Sequence, residues 1–346
     1  MNFRLQKMLF PLSIVYGVVT RARAQAYKRG LLSRETLPAA VISVGNLTTG
    51  GTGKTPLVEW ICRKIAADGF KVCVLTRGYG RLNPKTQVVV SNGNEILTDQ
   101  PSAGDEPFQL AENLLGQAAV ICNPNRAAAG RWAIENLGTQ VFVLDDGFQH
   151  LKLTRDLNIV VIDATEPWGG GKLLPQGRMR EPKNSLARAD CAVITRTDQT
   201  ETFNSIRDAV HQFACTIPVL ASRMVTFQLV TIARVPAELP SAATGAFCGI
   251  GNADAFFQHL RRAGFNLAFA QSFPDHYQYK QSDIDSLVQN AKSNNALSLT
   301  TTAKDAVKLR SLEIAIPCYV NEIRIEIQDE ETLVQMIRKA ISKADI

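Results

Sequence analysis

The chain has 346 residues, 45% hydrophobic and 20% charged, which is enough apolar material for two cores and an ordinary balance for a soluble protein. Its formal net charge of +6 resides in residues 1–34, which hold Arg4, Lys7, Arg21, Arg23, Lys28, Arg29 and Arg34 and no acid. The remainder is nearly neutral and has no basic face of the kind a nucleic-acid-binding domain presents, so nucleic acid is excluded as a partner.

Residues 8–19 of this arm, MLFPLSIVYGVV, lie between the two basic clusters. Twelve residues are fewer than the roughly 20 a spanning helix needs. Basic charge directly after the apolar run fits an arm lying on an anionic leaflet. A cleavable signal ending at Ala22-Arg23-Ala24 and a plain packed helix are the alternatives. Whether the arm spans or rests on the membrane is left open.

The run VISVGNLTTGGTGKTP at 41–56 joins an apolar strand to a glycine-rich turn ending in Lys54-Thr55. Residues Thr48, Thr49, Gly50, Gly51, Thr52, Gly53, Lys54 and Thr55 form a phosphate-binding loop. Its glycines turn successive N–H groups toward an anion, Lys54 reaches the β/γ phosphates, and Thr55 offers a hydroxyl to Mg²⁺. Thr48 occupies the place of the usual first glycine. A structural glycine turn is the competing reading. The expected cofactors are ATP and Mg²⁺.

Strand-like runs follow at 39–45, 71–76, 86–91, 118–122, 141–145, 157–163, 191–195 and 217–222, with helical patterns at 55–67, 106–115, 126–137 and 202–214. That alternation predicts a parallel sheet covered on both faces, a P-loop α/β core. A mixed-polarity strand at 226–235 opens a second, smaller α/β series with helices near 253–263 and 281–292. A stretch at 318–327 is expected to pair with it as a two-stranded ribbon. The predicted organisation is an arm over 1–34, a P-loop core over 35–225, a smaller domain over 226–328, and a helix over 329–346 returning to the core. Seven scattered cysteines without any C-x-x-C fit reduced core thiols.

VFVLDDGFQH at 141–150 ends an apolar strand in Asp145-Asp146, at the sheet edge where the phosphate loop opens and where Mg²⁺ needs carboxylates. A pair of turn acids is the alternative. In GDEPFQLAENLL at 104–115, Asp105 stands at a helix start, so it serves as a cap or as an orienting carboxylate. Of the four histidines, His211 and His259 fall in helical patterns, whereas His276 sits in the polar loop SFPDHYQY, placed to enter a cleft.

GNLTTGGTGKTP, LTRGYGR, GDEP, LDDGFQH, LLPQGRMREP, FCGIGN, FPDHY and TTAKDAVKL, in this order, resemble the tetraacyldisaccharide 4′-kinase (lipid A 4′-kinase) family of Gram-negative bacteria. The resemblance covers most of the body from 41 to about 309. It implies transfer of the ATP γ-phosphate to the 4′-hydroxyl of an acylated disaccharide 1-phosphate lipid at the cytoplasmic face of the inner membrane. It further implies a catalytic pair of Asp105 and His276, a metal shell of Thr55, Glu106, Asp145 and Asp146, and site-lining Tyr79, Arg126, Gln149 and Arg180. Arg178 and Arg180 do not align uniquely, and Ala303 replaces an expected glutamate. A membrane-associated partner-switching P-loop ATPase is the rival, but its signature lysine would fall at Thr49. A nucleotide-binding adaptor would leave the acids and His276 idle. No feature calls for an obligate protein partner.

Overall fold

A computed structural model describes residues 3–344; the outermost residues of the predicted arm and C-terminal helix, 1–2 and 345–346, lie outside the described residues. In chain order the elements are α1 (Phe3–Lys28), β1 (Ala40–Asn46), α2 (Lys54–Ala67), β2 (Val72–Thr76), β3 (Val88–Ser91), α3 (Gln100–Ala103), α4 (Asp105–Asn113), β4 (Ala118–Cys122), α5 (Arg126–Leu137), β5 (Val141–Asp145), β6 (Leu157–Asp163), β7 (Cys191–Thr195) and α6 (Phe203–His211). There follow β8 (Val219–Thr231), β9 (Pro236–Ala237), β10 (Thr244–Cys248), α7 (Ala253–Arg262), β11 (Leu267–Ser272), α8 (Gln281–Ser293), β12 (Ser298–Thr302), α9 (Ala303–Leu309), β13 (Cys318–Ile327) and α10 (Glu330–Ser342).

Among the described residues the strands join into one thirteen-stranded sheet, ordered β11-β10-β12-β13-β8-β7-β6-β1-β5-β2-β4-β3, with β9 on β8. The core half is parallel except for the antiparallel edge strand β3. Parallel strands are buried on both faces, which is why β1, β2, β4, β5 and β7 read as continuous apolar runs with every residue buried. Leu57, Val58, Ile61 and Ile65 of α2 cover one face, and Ala127, Ala129 and Ala133 of α5 the other. Each fully buried Leu or Ile is worth about 1.5–3 kcal/mol. Leu333, Ile337 and Ile341 of α10 join the α2 layer, so the last helix packs on the core.

One sequence boundary is redrawn by the structure. The separate strands predicted at 217–222 and 226–235 are one strand, β8, and position 225 lies inside it. Its first residues run parallel to β7, and from Ser222 to Thr231 it pairs antiparallel with β13. The apolar pattern breaks where β8 leaves the buried sheet for the ribbon, and that break resembles a strand end.

The helix α1 is inverted relative to an ordinary surface helix. Among the residues of α1 whose burial is described, the buried positions are Ser13 and Gly17, four residues apart, while Phe10, Leu12, Ile14, Val15, Val18 and Val19 face outward. Ser13 Oγ donates to the Leu173 carbonyl at 3.1 Å and accepts from Gln176 N at 3.0 Å. A Cβ on Gly17 would meet Leu173 Cδ1 at 2.7 Å, so any larger residue there would require the Leu173 side chain to shift. The arm is thereby fastened to the 169–181 segment, which carries Arg178 and Arg180.

Candidate active site

The phosphate loop leaves β1 and enters α2 at Lys54. Gly50 (φ 109°) and Gly53 (φ 81°) take left-handed angles that side chains disfavour, which makes the turn possible. Asn46 Nδ2 donates to Thr52 Oγ1 at 2.9 Å, and Thr195 Oγ1 donates to the Thr52 carbonyl at 2.9 Å, so the loop is braced on two sides. Thr49 N donates to the Arg178 carbonyl at 2.8 Å, and the Arg178 guanidinium returns to the Thr49 carbonyl at 2.8 Å while pairing with Glu166. The N-terminus of α2, with its unpaired N–H groups and positive dipole end, points at the space this loop encloses.

Asp145 ends β5 and Asp146 follows it, beside the loop. Arg180 donates to both oxygens of Asp146, at 2.7 and 2.9 Å, and also to Asn46 Oδ1 at 2.8 Å and Gln149 Oε1 at 3.2 Å. Gln149 Nε2 in turn donates to the Asn46 carbonyl at 2.9 Å. Lys54 Nζ lies 3.6 Å from Asp146 Oδ1. Burial opposes the Asp146 charge, but Lys54 and Arg180 outweigh it and hold this carboxyl well below the usual range. Asp145 differs: burial, then the neighbouring Glu106 and Asp146 charges, push it up to about 6, although Thr76 Oγ1 donates to it at 3.1 Å. Arg126 is buried and senses both aspartates. The structure thus separates the two ambiguous arginines. Arg178 clasps the phosphate loop, and Arg180 clasps Asp146.

Asp145, Asp146 and Glu106 concentrate negative charge, which Lys54 and Arg180 meet at Asp146 and Lys304 meets at Glu106, while Asp145 has no ion-pair partner among the described residues. A divalent cation beside Asp145 would relieve it, and Thr55 shares the same cleft with Glu106. Among the described residues no three His, Cys, Asp or Glu side chains form a ready-made metal cage, nor does Mg²⁺ need one when phosphates and water complete its shell.

The opposite wall comes from the β10–β13 half of the sheet. His276, in the left-handed conformation at φ 60°, is held by its N–H to the Gly249 carbonyl at 3.2 Å. Its Nδ1 lies 3.6 Å from Asp105 Oδ2, and the exposed Tyr79 ring tilts over the imidazole with centroids 5.5 Å apart. Burial opposes ionisation of Asp105, but His276 and Lys308 outweigh it and hold the carboxyl down at about 2. The GIGN turn at 249–252 reaches the phosphate loop itself. A Cβ on Gly251 would stand 2.9 Å from Gly51 N, so the two glycine turns touch backbone to backbone. Asn252 Nδ2 donates to Asp163 Oδ2 at 3.0 Å, and Asp163 also pairs with Arg196, which donates to the Gly51 carbonyl at 3.0 Å.

Between the walls runs a cleft of about 650 Å³, bordered by Gly51, Thr55, Glu106, Lys304, Trp60 and Phe256. Its floor is the β8–β13 ribbon. Of the site residues expected from the sequence, Gly51, Gly53, Thr55 and Glu106 line this cleft, Lys54, Gln149 and Arg180 gather around Asp146, and Asp105, His276 and Tyr79 form a further cluster. Sequence reasoning missed Lys304 and Lys308. Lys304 Nζ sits 3.1 Å from Glu106 Oε1, 3.1 Å from Asp275 Oδ1 and 3.3 Å from His276 Nε2, joining the acid cluster to the imidazole. Both lysines stand in TTAKDAVKL, four residues apart directly after a strand, a spacing that places them on one helix face.

The geometry therefore brings together a phosphate loop, an acid cluster and an imidazole–carboxylate pair, linked through Glu106 and Lys304. A model of the tetraacyldisaccharide-1-P 4′-kinase family matches residues 5–342. The chain is 37% identical to the tetraacyldisaccharide 4′-kinase of Pelobacter propionicus over 98% of this chain and 93% of the relative, and 43% identical to that of Geobacter metallireducens over 87% and 88%. The crystal structure of LpxK from Aquifex aeolicus in complex with ATP superposes with a TM-score of 0.79 at 31% identity, covering 97% of this chain and 99% of that one. The match spans both walls of the cleft and nearly the full length of these relatives, and the chain belongs to the tetraacyldisaccharide 4′-kinase family.

Proposed function

We propose that the cleft transfers the γ-phosphate of ATP to the 4′-hydroxyl of a tetraacylated glucosamine disaccharide 1-phosphate, with the residue roles that follow. Kinase activity comes with the family. The observation that carries the residue roles is the Asp105–His276 pair, which meets across the cleft beside the phosphate loop.

Lys54 and the N–H groups of the loop bind and orient the phosphates, and phosphoryl transfer depends mainly on such positioning and charge neutralisation. Thr55, Asp145, Asp146 and Glu106 would hold Mg²⁺, which would supply charge neutralisation for the phosphates. Asp105 keeps the proton on His276 Nδ1, which leaves Nε2 as the basic nitrogen. Lys304 donates to Nε2 in this structure, so it must turn aside for the sugar hydroxyl to reach the imidazole. His276 then takes the hydroxyl proton as the sugar oxygen bonds to phosphorus and ADP departs. A positioned base of this kind contributes roughly 10²–10⁴-fold.

The outward apolar face of α1, followed by Arg21, Arg23, Lys28 and Arg29, supports docking on an anionic cytoplasmic leaflet. Among the described residues no helix is long and apolar enough to cross a membrane. Because α1 packs on the 169–181 segment that carries Arg180, an arm resting on the bilayer sets the cleft near the lipid headgroups. The partner-switching ATPase reading finds no support in the comparisons. Incubation with ATP and tetraacyldisaccharide 1-phosphate should give a bisphosphorylated lipid detectable by mass spectrometry, abolished in His276→Ala. Lipid-independent phosphate release without that product would contradict the proposal.

A further inference from the structure

We infer that Lys308 is a positioning residue of the phosphoryl-transfer site, fixing Asp105 of the core domain in the place where His276 of the other domain meets it. The inference rests on the Asp105–His276 reading above.

The Lys308 side chain is 1% exposed, and a buried ammonium is tolerated only when it is paired. It has two partners on opposite sides of the cleft: Asp305 Oδ1 at 3.2 Å within α9, and Asp105 Oδ2 at 3.4 Å at the start of α4. Neutralising Asp305 needs only the first. The second contact reaches across to the other domain and lands on the same oxygen that faces His276 Nδ1. The remaining Asp105 oxygen, Oδ1, accepts from Gln100 Nε2 at 2.6 Å, within its own domain. One carboxylate oxygen is thus anchored at home, and the other is shared by an ammonium and an imidazole from the opposite wall.

The contacts close into a circuit. Asp305 Oδ2 accepts from Gly249 N at 2.9 Å and from Thr302 Oγ1 at 2.8 Å. Gly249 is the residue whose carbonyl holds the His276 N–H at 3.2 Å. The path runs Asp105, Lys308, Asp305, Gly249, His276 and back to Asp105. The placement of the imidazole and the placement of its carboxylate are set by one buried network. Lys308 is the link that crosses between the domains. A helix that brings Lys308 to Asp105 brings the loop of His276 to the same depth, so the pair forms in register.

A displacement of about 1 Å between reacting groups costs on the order of 100-fold in rate. Lys308→Met should therefore lower kcat by roughly 10–100-fold, with the KM values for ATP and lipid within about twofold of the parent. Lys308→Arg, which keeps the charge, should restore part of the loss. Combining Lys308→Met with Asp105→Asn should cost less than about twofold beyond Asp105→Asn alone, because both remove the same arrangement. If Lys308→Met does not fold because Asp305 is left alone, Lys308→Met with Asp305→Asn removes both buried charges and carries the same expectation for kcat and KM. Parental kcat in either folded variant overturns the inference, as do losses that multiply with Asp105→Asn. The underlying reading fails separately: it falls, and this inference with it, if Asp105→Asn and His276→Ala keep kcat. If those two lose kcat while folded Lys308→Met retains it, only the role of Lys308 is overturned.

Discussion

The two walls of the cleft are built by different forces. The phosphate-loop wall is made within one domain: Lys54, Asp146, Arg180, Gln149 and Asn46 are interlocked at the carboxyl ends of β1 and β5, above a sheet buried on both faces. The other wall meets it largely through polar side chains at the reacting end, with His276, Lys304 and Lys308 contributed by the second half of the sheet to Asp105 and Glu106. The first wall is built within one domain, whereas the second depends on the β8–β13 ribbon and on contacts such as Asn252 with Asp163 to hold the halves together. Substrate binding should therefore depend on the first wall and turnover on both.

The largest test of that contrast is on the phosphate-loop side. Lys54→Ala should lower kcat by roughly 100-fold or more without unfolding if, as proposed, the ammonium neutralises charge that grows in the transition state. Near-parental turnover at saturating ATP would break the comparison. Arg180→Lys should cost roughly tenfold, since an ammonium cannot make the two-pronged bond to Asp146 while also reaching Asn46. Calorimetric titration with a non-hydrolysable ATP analogue should show weaker binding there and unchanged binding in His276→Ala.

Asp145 gives the comparison a pH signature. Its folded pKa is raised to about 6 against an ordinary carboxylate value of 3.8. A raised carboxyl is stabilising while protonated, and that contribution is lost as pH climbs from 3.8 through about 6. Asp145→Asn should therefore raise the melting temperature of the ligand-free protein by roughly 5 °C at pH 8 and leave it unchanged near pH 4. An equal shift at both pH values would show that the charge is not the cause.

The smallest effect on chemistry is expected at the arm. Val15→Asp with Val19→Asp alters only outward positions of α1 and should weaken sedimentation with anionic vesicles roughly tenfold while leaving the fold intact. Unchanged sedimentation would place the membrane contact elsewhere.

Much of the phosphate-loop wall was legible in the sequence, because parallel strands, glycine turns and helix starts are local patterns. The runs at 141–145 and 126–137 coincide with β5 and α5, and Asp145 and Asp146 stand where a strand-end rule puts them. The ribbon was legible as two pairing stretches but not as one strand with β8, because its apolar pattern changes where its environment does. Lys304 and Lys308 escaped for a different reason. A lysine on a short helix looks solvent-facing until its partners are known, and Asp105, Glu106 and Asp275 come from segments far away in sequence. Pairing across a cleft leaves no periodic trace.

The central claim is that Asp105 and His276, on opposite walls, act as one unit. The most direct measurement is kcat at saturating ATP and lipid for Asp105→Asn, His276→Ala and the double variant. Each single change should lower kcat roughly 10²–10⁴-fold, and the double variant should match the poorer single, because removing either partner already abolishes the shared step. Losses that multiply, or a His276→Ala enzyme that keeps kcat and loses only lipid affinity, would contradict the account.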